Sequence, residues 1–385
     1  MDPAQPIVPE NPLQAASAAQ QQSSIAPHKK DEGSSSDQIR RLGQLVEKTD
    51  MPKLLKENLL ERVSRLALLR SSTGFMSATY ILEYEASSSY INWVVGLPWN
   101  AYSTDLLDLL KAKQILDQNH YGLDPIKDRI LEYMATIILN TKAEQHHNIA
   151  HAPILCLVGL AGTGKTTLAA SIAQALGRKF ERIPFGGMGD SRALRGQSKA
   201  FPDAEPGAVI KKLVRAGTKN PVILLDELDR VTDSARADIM GVLVELLDPG
   251  QNNAFTDHYI DYPFDLSGVL FVSTANNTNN ISTAVLDRLE VIQMPSYTDE
   301  EKIVIAKKYL FQRIREQTGL KPEQLHIDDT VWPGIIRPLG FDSGIRSLER
   351  TIEGICRRSA RLIVEGKVTS VLVNQENIKS FLPHW

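Results

Sequence analysis

The chain has 385 residues, enough for two or three domains, and 42% of them are hydrophobic, which is ordinary for a globular protein. Its net charge of −3 excludes the bulk positive charge that would favour nucleic acid or an anionic membrane, although local basic patches stay compatible with it. Cys156 and Cys356 are expected to be buried free thiols, which fits a reducing compartment. No apolar run approaches the length of a membrane span, and neither a secretory signal nor an Arg-rich transit helix opens the chain.

The first hundred residues predict a tail followed by helices. Residues 1–36 are rich in Pro, Ala, Gln and Ser and carry few large apolar side chains, so we expect them to be disordered. From Asp37 onward, apolar residues recur at three- and four-residue spacing, and two more helical patterns follow Pro52 and Ser77. Residues 37–100 are therefore predicted to form a helical arm or neck.

A phosphate-binding loop is predicted by the pattern G-x-x-x-x-G-K-[ST]. The apolar run Ile154–Val158 predicts a buried strand before the loop, and residues 167–176 predict a helix after it. Glycines let the backbone N–H groups face an anion, and the helix N-terminus adds partial positive charge. Lys165 is expected to reach the β- and γ-phosphates, and the Thr166 hydroxyl to bind Mg²⁺. The predicted nucleotide-binding residues are Gly159, Leu160, Ala161, Gly162, Thr163, Gly164, Lys165 and Thr166.

The rest of residues 101–296 alternates short apolar strands with helices. Further strands are predicted at 180–184, 221–225, 269–274 and 291–294, and helices at 106–116, 124–140, 208–216 and 231–247. This alternation predicts an α/β fold, a five-stranded parallel sheet with helices on both faces. Residues 297–385 predict a small C-terminal lid with helices near 299–318 and 345–365 and a strand at 368–373.

Two carboxylates, Asp226 and Glu227, follow the strand predicted at 221–225. Alone, an apolar run before Asp-Glu is usually a strand end that meets solvent. About 60 residues after a phosphate loop, the same pattern indicates a hydrolysis site. Asp226 would then hold Mg²⁺, directly or through water, and Glu227 would polarise the attacking water.

Three further polar residues each have two interpretations. Asn276 would position the water or sense the γ-phosphate, but its surroundings are also typical of a turn, and spacing alone favours neither. Arg288 precedes the last core strand and could be an arginine finger for a neighbouring subunit. Arg346, in the lid, could contact the γ-phosphate. Composition alone favours solvated surface arginines for both.

Several strings in this chain resemble the Lon proteases, a family within the AAA+ ATPases. The resemblance covers about residues 51–383. The strings are Pro153-Ile-Leu-Cys-Leu-Val-Gly159, Ala175-Leu-Gly-Arg-Lys-Phe180, Ala216-Gly-Thr-Lys-Asn-Pro221, Leu247-Asp-Pro-Gly-Gln-Asn-Asn253, Asp257-His-Tyr-Ile-Asp261 and Leu286-Asp-Arg-Leu-Glu-Val-Ile292.

The resemblance implies an AAA+ fold in a homo-hexameric ring that threads unfolded or damaged protein through its pore, using ATP and Mg²⁺. It supports Asn276 as sensor 1, Arg288 as arginine finger and Arg346 as sensor 2, and it implies that Tyr121 lies near the adenine. The string at 293–302 resembles the peroxisomal branch, so we expect a peroxisomal matrix protein, with the mitochondrial matrix or cytoplasm as alternatives.

Three features differ from the family pattern. In the family, a proteolytic domain follows the lid and carries a Ser–Lys dyad in the string Pro-Lys-Asp-Gly-Pro-Ser-Ala-Gly. This string is absent here, so we expect peptide cleavage to need a further domain.

The pore loop is Phe201-Pro202-Asp203 where the family has an aromatic residue, an aliphatic residue and Gly, which puts translocation in question. Phe201 is expected to be the main substrate grip, the alternative being a partly buried loop aromatic. Leu160 and Ala161 replace the usual Pro-Pro at variable positions, so nucleotide binding should survive.

The first functional interpretation is thus a Lon-type, ATP-driven unfoldase module without a peptidase site. A nucleotide-gated binding or assembly scaffold with little turnover is the alternative. The altered pore loop favours the scaffold, and the complete set of Lys165, Thr166, Asp226 and Glu227 opposes it. Nucleic-acid remodelling would require a basic surface interleaved with aromatic residues, which the sequence does not show.

Overall fold

The computed structural model of the protein describes residues 35–74, 77–144, 154–337 and 344–382. The chain divides into two compact units, Met1–Val95 and Gly96–Trp385. Most of the tail predicted at 1–36 lies outside the described residues, but Ser35 and Ser36 begin a helix, two residues before the predicted start. No described helix is both long enough and apolar enough to cross a membrane.

The first unit contains helices with one buried face each: α1 (Ser35–Lys48), α2 (Lys53–Thr73) and α3 (Ala78–Gly96). Pro52 precedes α2 with an extended backbone, and Gly74 ends it in a left-handed φ of 79°. On α2 the buried positions are Leu55, Leu59, Val63 and Leu66, the three- and four-residue spacing of an amphipathic helix.

The second unit is built on one five-stranded parallel sheet, as predicted. Its strands and those of a small separate pair are β1 (Ile154–Val158), β2 (Phe180–Pro184), β3 (Val222–Asp226), β4 (Phe255–Thr256), β5 (Pro263–Phe264), β6 (Leu270–Ala275) and β7 (Leu289–Gln293). The order in the parallel sheet is β2-β3-β6-β1-β7, and β4 and β5 form the antiparallel pair.

β3 and β6 are buried along their whole length, which is typical of parallel strands covered on both faces. Because parallel strands end at one edge of a sheet, the loops that follow β1, β3 and β6 meet there. Topology therefore brings the phosphate loop, Glu227 and Asn276 to the same edge.

Helices cover the sheet. Their bounds are α4 (Leu109–Asn119), α5 (Asp124–Glu144), α6 (Lys165–Leu176), α7 (Arg192–Arg195), α8 (Ala208–Ala216), α9 (Arg236–Leu247) and α10 (Thr283–Leu286). Of these, α4 packs against α6. Short 3-10 turns lie at Leu228–Arg230 and Asn252–Ala254.

Two helix starts differ from the sequence prediction. The helix predicted from 106 begins at Leu109 because the Asp108 carboxylate accepts the N–H groups of Leu110 and Lys111 and so fixes the cap. The helix predicted from 231 begins only at Arg236, because Val231 is extended (φ −62°, ψ 142°) after the 3-10 turn.

The C-terminal part of the second unit is helical with one small parallel strand pair. It contains α11 (Asp299–Ile305), a π-helical turn (Ala306–Leu310), α12 (Phe311–Gln317), β8 (Leu325–Ile327), α13 (Trp332–Ile336), α14 (Arg346–Val364), β9 (Val371–Val373) and α15 (Ile378–Phe381), with 3-10 turns at Pro322–Gln324 and Asp329–Val331.

Thr298 and Glu301 form a reciprocal capping box that fixes the start of α11. The single helix predicted near 299–318 is interrupted by the π turn, which amphipathic spacing does not reveal. The strand predicted at 368–373 is shorter, and its partner β8 is too short to give a sequence pattern.

Candidate active site

The loop between β1 and α6 wraps around the side-chain amine of Lys165. Nζ donates hydrogen bonds to the carbonyls of Gly159 (2.6 Å) and Leu160 (3.0 Å) and to Oδ1 of Asn276 (3.3 Å). Lys165 is only 8% exposed, and this burial lowers the pKa of its ammonium group, an effect that nearby Asp226 and Asp229 oppose. Gly162 and Gly164 have φ values of +85° and +91°, which a side chain would strain.

Asp226 ends β3 with both of its carboxylate oxygens partnered. Oδ1 accepts a hydrogen bond from the Thr274 hydroxyl, and the Thr166 hydroxyl lies 3.5 Å from the same atom. Oδ2 accepts from Arg182, whose Nε and Nη2 both lie 2.6 Å away. Thr166 and Asp226, predicted from separate motifs, are therefore brought side by side.

Glu227 has a left-handed backbone (φ 61°, ψ 51°), which is rare for a residue with a side chain. Its N–H donates to the Thr274 hydroxyl (2.9 Å), so Thr274 links it to Asp226. Arg230 Nη1 lies 3.5 Å from Glu227 Oε1. The left-handed bend thus comes directly after the last residue of β3.

Asn276 is held by a carboxylate that sequence reasoning missed. Its N–H and its side-chain amide donate to Asp229 at 3.1 and 3.3 Å, and this leaves Oδ1 facing Lys165. Asp229 is buried and its own carbonyl accepts from Asn280 (3.1 Å). Its position three residues after Asp226, in a 3-10 turn, is the only sequence signal for this role.

Two lid segments touch the phosphate loop. The Tyr297 hydroxyl donates to the carbonyl of Thr163 (3.2 Å), and burial raises the pKa of Tyr297 to about 12. A β-carbon added at Gly344 would lie 2.5 Å from the carbonyl oxygen of Ala161, so the chain passes very close there. One added at Gly162 would lie 3.4 Å from Cγ of Arg346, so this predicted residue is beside the loop. Tyr297 and Gly344 carry no motif that sequence reasoning could have used.

Within the described residues, no hydrogen bond or ion pair joins the predicted residues Tyr121, Arg288 or Phe201 to residues 159–166. Arg288 pairs with Asp248 (2.6 Å) and donates to the carbonyl of Ala284 (2.8 Å). The Arg288 guanidinium holds the pKa of Asp248 below its usual range.

Tyr121 packs, partly buried, against the hydrophobic core. Phe201 is 57% exposed, so the alternative of a partly buried loop aromatic does not hold.

The geometry suits a magnesium–nucleotide complex. The hydroxyl of Thr166 and the carboxylate of Asp226 are hard oxygen donors, and Mg²⁺ in phosphate-transfer sites takes one or two protein ligands besides phosphate oxygens and water. The buried ammonium of Lys165 faces the loop that would hold the phosphates. In the described ranges, no group of three or more His, Cys, Asp or Glu side chains is arranged to hold a metal ion by itself.

Comparison with known proteins gives two family matches in succession. The profile of the "ATPase family associated with various cellular activities (AAA)" matches residues 155–297. The profile of the "Lon protease AAA+ ATPase lid domain" matches residues 316–371. Both the phosphate loop from Gly159 and the acidic pair lie inside the first match, and Arg346 lies inside the second.

Curated relatives match most of the chain. Lon protease of Lawsonia intracellularis is 41% identical over 346 residues, 90% of this chain and 40% of the relative. Lon protease of Syntrophus aciditrophicus is 42% identical over 88% of this chain and 42% of its own length. Lon protease 2 of Thermus thermophilus is 38% identical over 90% and 42%. The chain thus spans about two fifths of the length of the curated relatives it matches. With a AAA domain followed by a Lon-type lid, it belongs to the Lon protease family.

Proposed function

We propose that this chain hydrolyses ATP in a magnesium-dependent reaction and uses the cycle to pull protein substrates through a ring of its own copies. The observation that carries the hydrolysis is the convergence of Lys165, Asp226, Glu227 and Asn276 at one edge of the sheet. A loop that only bound nucleotide would not require the carboxylate of Glu227 in its left-handed position.

The chain's own groups account for each step of the reaction. Lys165 binds the phosphate oxygens, and Oδ1 of Asn276 accepts a hydrogen bond from its amine. Glu227 orients a water whose oxygen attacks the γ-phosphorus while the bond to the β–γ bridging oxygen breaks, releasing ADP and phosphate. Mg²⁺, when bound by Thr166 and Asp226, would offset the charge of the phosphate oxygens. Arg288 of a neighbouring subunit would stabilise the same charge from the other side.

Movement of protein substrate is supported by the position of Phe201. It lies between Ser198 and Glu205 on the loop between α7 and α8, and its ring is exposed. Asp203 stands where the family pattern has glycine, yet it adopts the left-handed φ of 56° that glycine favours. The loop thus keeps a glycine-like backbone despite the altered sequence, and this favours a translocating loop over the scaffold alternative.

Phosphate release, with and without an unfolded protein such as reduced casein, tests this function. We expect Mg²⁺-dependent turnover in the wild type that the unfolded protein stimulates. Glu227→Gln should keep ATP affinity within a few-fold but lower turnover by about 10²- to 10⁴-fold, the typical contribution of a positioned acid–base group. Glu300→Gln, at an exposed position in the first turn of α11, is the matched control and should change neither quantity.

The same assay separates the alternatives. ATP binding without turnover in the wild type would favour the nucleotide-gated scaffold. Full turnover in Glu227→Gln would contradict the role given to that carboxylate. Light scattering with a slowly hydrolysed ATP analogue tests the ring, since a chain that stays monomeric with bound nucleotide would contradict it.

A further inference from the structure

Arg182 holds the carboxylate that is proposed to hold the metal. Its Nε and Nη2 both approach Oδ2 of Asp226 at 2.6 Å, a side-on charge-assisted pair. The arginine side chain is 43% exposed, whereas that of Asp226 is only 5% exposed. Arg182 lies in no phosphate-binding motif, and the reaction described above does not use it.

The contact follows from the register of the sheet. β2 is one of the two edge strands, and Arg182 pairs with Leu224 while Pro184 pairs with Asp226. Side chains two residues apart on a strand share a face, so Arg182 and Asp226 are diagonal neighbours on one face of β2 and β3. The two residues are distant in the sequence, and the pairing of β2 with β3 brings them into contact.

Arg182 also completes a balance of charges at the sheet edge. Arg182 is paired with Asp226 and Arg230 lies beside Glu227, while Asp229 supports Lys165 through Asn276. Each acidic side chain of this edge therefore has a cationic neighbour. A divalent cation that approached Asp226 would meet the guanidinium of Arg182 at one oxygen and the hydroxyls of Thr166 and Thr274 at the other.

We propose that Arg182 is a positioning residue that prevents Asp226 from binding a free divalent cation, so that the metal enters the site together with the nucleotide phosphates. The guanidinium repels the ion and fixes the carboxylate through Oδ2, leaving Oδ1 turned towards Thr166. Phosphates add negative charge that overcomes this repulsion, whereas a bare cation brings none. This inference rests on the proposed role of Thr166 and Asp226 as metal-holding residues.

Binding of Mn²⁺ alone, with no nucleotide, tests the inference on the full chain by measuring free Mn²⁺ with electron paramagnetic resonance. Removing the positive charge in Arg182→Gln or Arg182→Met should raise nucleotide-free Mn²⁺ affinity by about tenfold or more, because a buried carboxylate then lacks its cation. Arg182→Lys retains the charge and should bind as weakly as the wild type. The double variant Arg182→Gln/Asp226→Asn should lose the gained affinity.

Arg215→Gln is the matched control. Arg215 lies on α8, and its Nε is 3.3 Å from Oε1 of Glu181, which is the neighbour of Arg182 on β2. The ion pair of Arg215 therefore involves Glu181 and not Asp226. This variant should leave Mn²⁺ affinity unchanged. Equal affinity in the wild type and both neutral variants would overturn the inference, as would a gain that survives Asp226→Asn or that Arg182→Lys shares. Failure of the proposed function is a separate result, namely a wild type without magnesium-dependent ATP turnover.

Discussion

The backbone N–H of Ile345 donates a hydrogen bond of 3.1 Å to the carbonyl oxygen of Gly162. This bond joins the start of α14 to the middle of the phosphate-binding loop. A change in the loop on nucleotide binding would therefore pull on the lid directly, and a lid displacement would change the loop. A nucleotide-driven movement requires a contact that differs between the bound and free states, and this bond lies where such a difference would arise.

Gly344→Ala should weaken nucleotide binding about tenfold or more, because its β-carbon would lie 2.5 Å from the Ala161 carbonyl oxygen and 2.9 Å from Cα of Gly162. Fluorescence titration with a labelled ADP measures the affinity. Gly354→Ala is the matched control: it lies within α14 and its β-carbon would meet open space. That variant should bind normally and gain about 0.5–1 kcal/mol of stability from higher helix propensity. Equal affinities in the two variants would show that the lid contact does not shape the site.

Arg288→Ala should lower turnover by about 10³-fold, the lower range for an arginine finger, while leaving nucleotide affinity unchanged. Arg288 pairs with Asp248 within its own chain, and the proposed function has it act on the nucleotide of a neighbouring copy. Mixing Arg288→Ala with Glu227→Gln tests this: a subunit with Glu227 intact can receive Arg288 from the other variant. Recovered phosphate release in the mixture is expected, and a mixture as inactive as its components would contradict a shared site.

Phe201→Ala should abolish stimulation of phosphate release by an unfolded protein while basal turnover stays normal. The exposed ring contributes little to folding, so a loss of stability below about 0.5 kcal/mol is expected. Leu372→Ala is a control of comparable exposure (55%) on β9, where no substrate contact is proposed. Equal stimulation in wild type and Phe201→Ala would rule out Phe201 as the grip.

His120 should make stability depend on pH. It is buried against the Ser171 hydroxyl, with Nε2 2.9 Å from Oγ. Burial, aided by Lys127, lowers the pKa of His120 from 6.5 to about 4. The unfolded chain then binds the proton more readily, so the stabilising effect of the neutral ring is complete above about pH 6.5 and is lost as pH falls through about 4.

Urea unfolding from pH 7 to pH 4 measures this effect. As the pH falls, the free energy of unfolding of the wild type should drop by up to about 1.4 kcal/mol more per pH unit than that of His120→Asn. This difference corresponds to one additional proton bound on unfolding. His326→Asn, at an exposed position on β8, should show the wild-type slope. Identical slopes in the wild type and His120→Asn would contradict the predicted pKa.

Sequence patterns predict the sheet and the meeting of Lys165, Thr166, Asp226 and Asn276, because each lies at the end of a strand, just after one, or at the start of the helix that follows the loop. Parallel pairing then brings them to one edge whatever the strand order. The contact of Arg182 with Asp226 depends on the pairing register of β2 and β3, and a single sequence does not encode that register in any local pattern.

The lid contacts could not be predicted for a different reason. Tyr297 and Gly344 meet the phosphate loop from residues far along the chain, and neither belongs to a motif with fixed spacing from Lys165. Asp229 is an intermediate case. It follows the predicted Asp226-Glu227 pair by two residues, but only the 3-10 turn after Glu227 directs it towards Asn276.

Glu227 illustrates a conflict between folding and activity within one residue. A side chain at φ 61° costs about 1 kcal/mol relative to glycine, and the hydroxyl of Thr274 only anchors the strained N–H. Selection for stability alone is therefore expected to replace Glu227 with glycine, which would give a more stable protein without the carboxylate that the proposed hydrolysis needs. Evolution in the laboratory towards heat resistance, without a demand for activity, should find this substitution early.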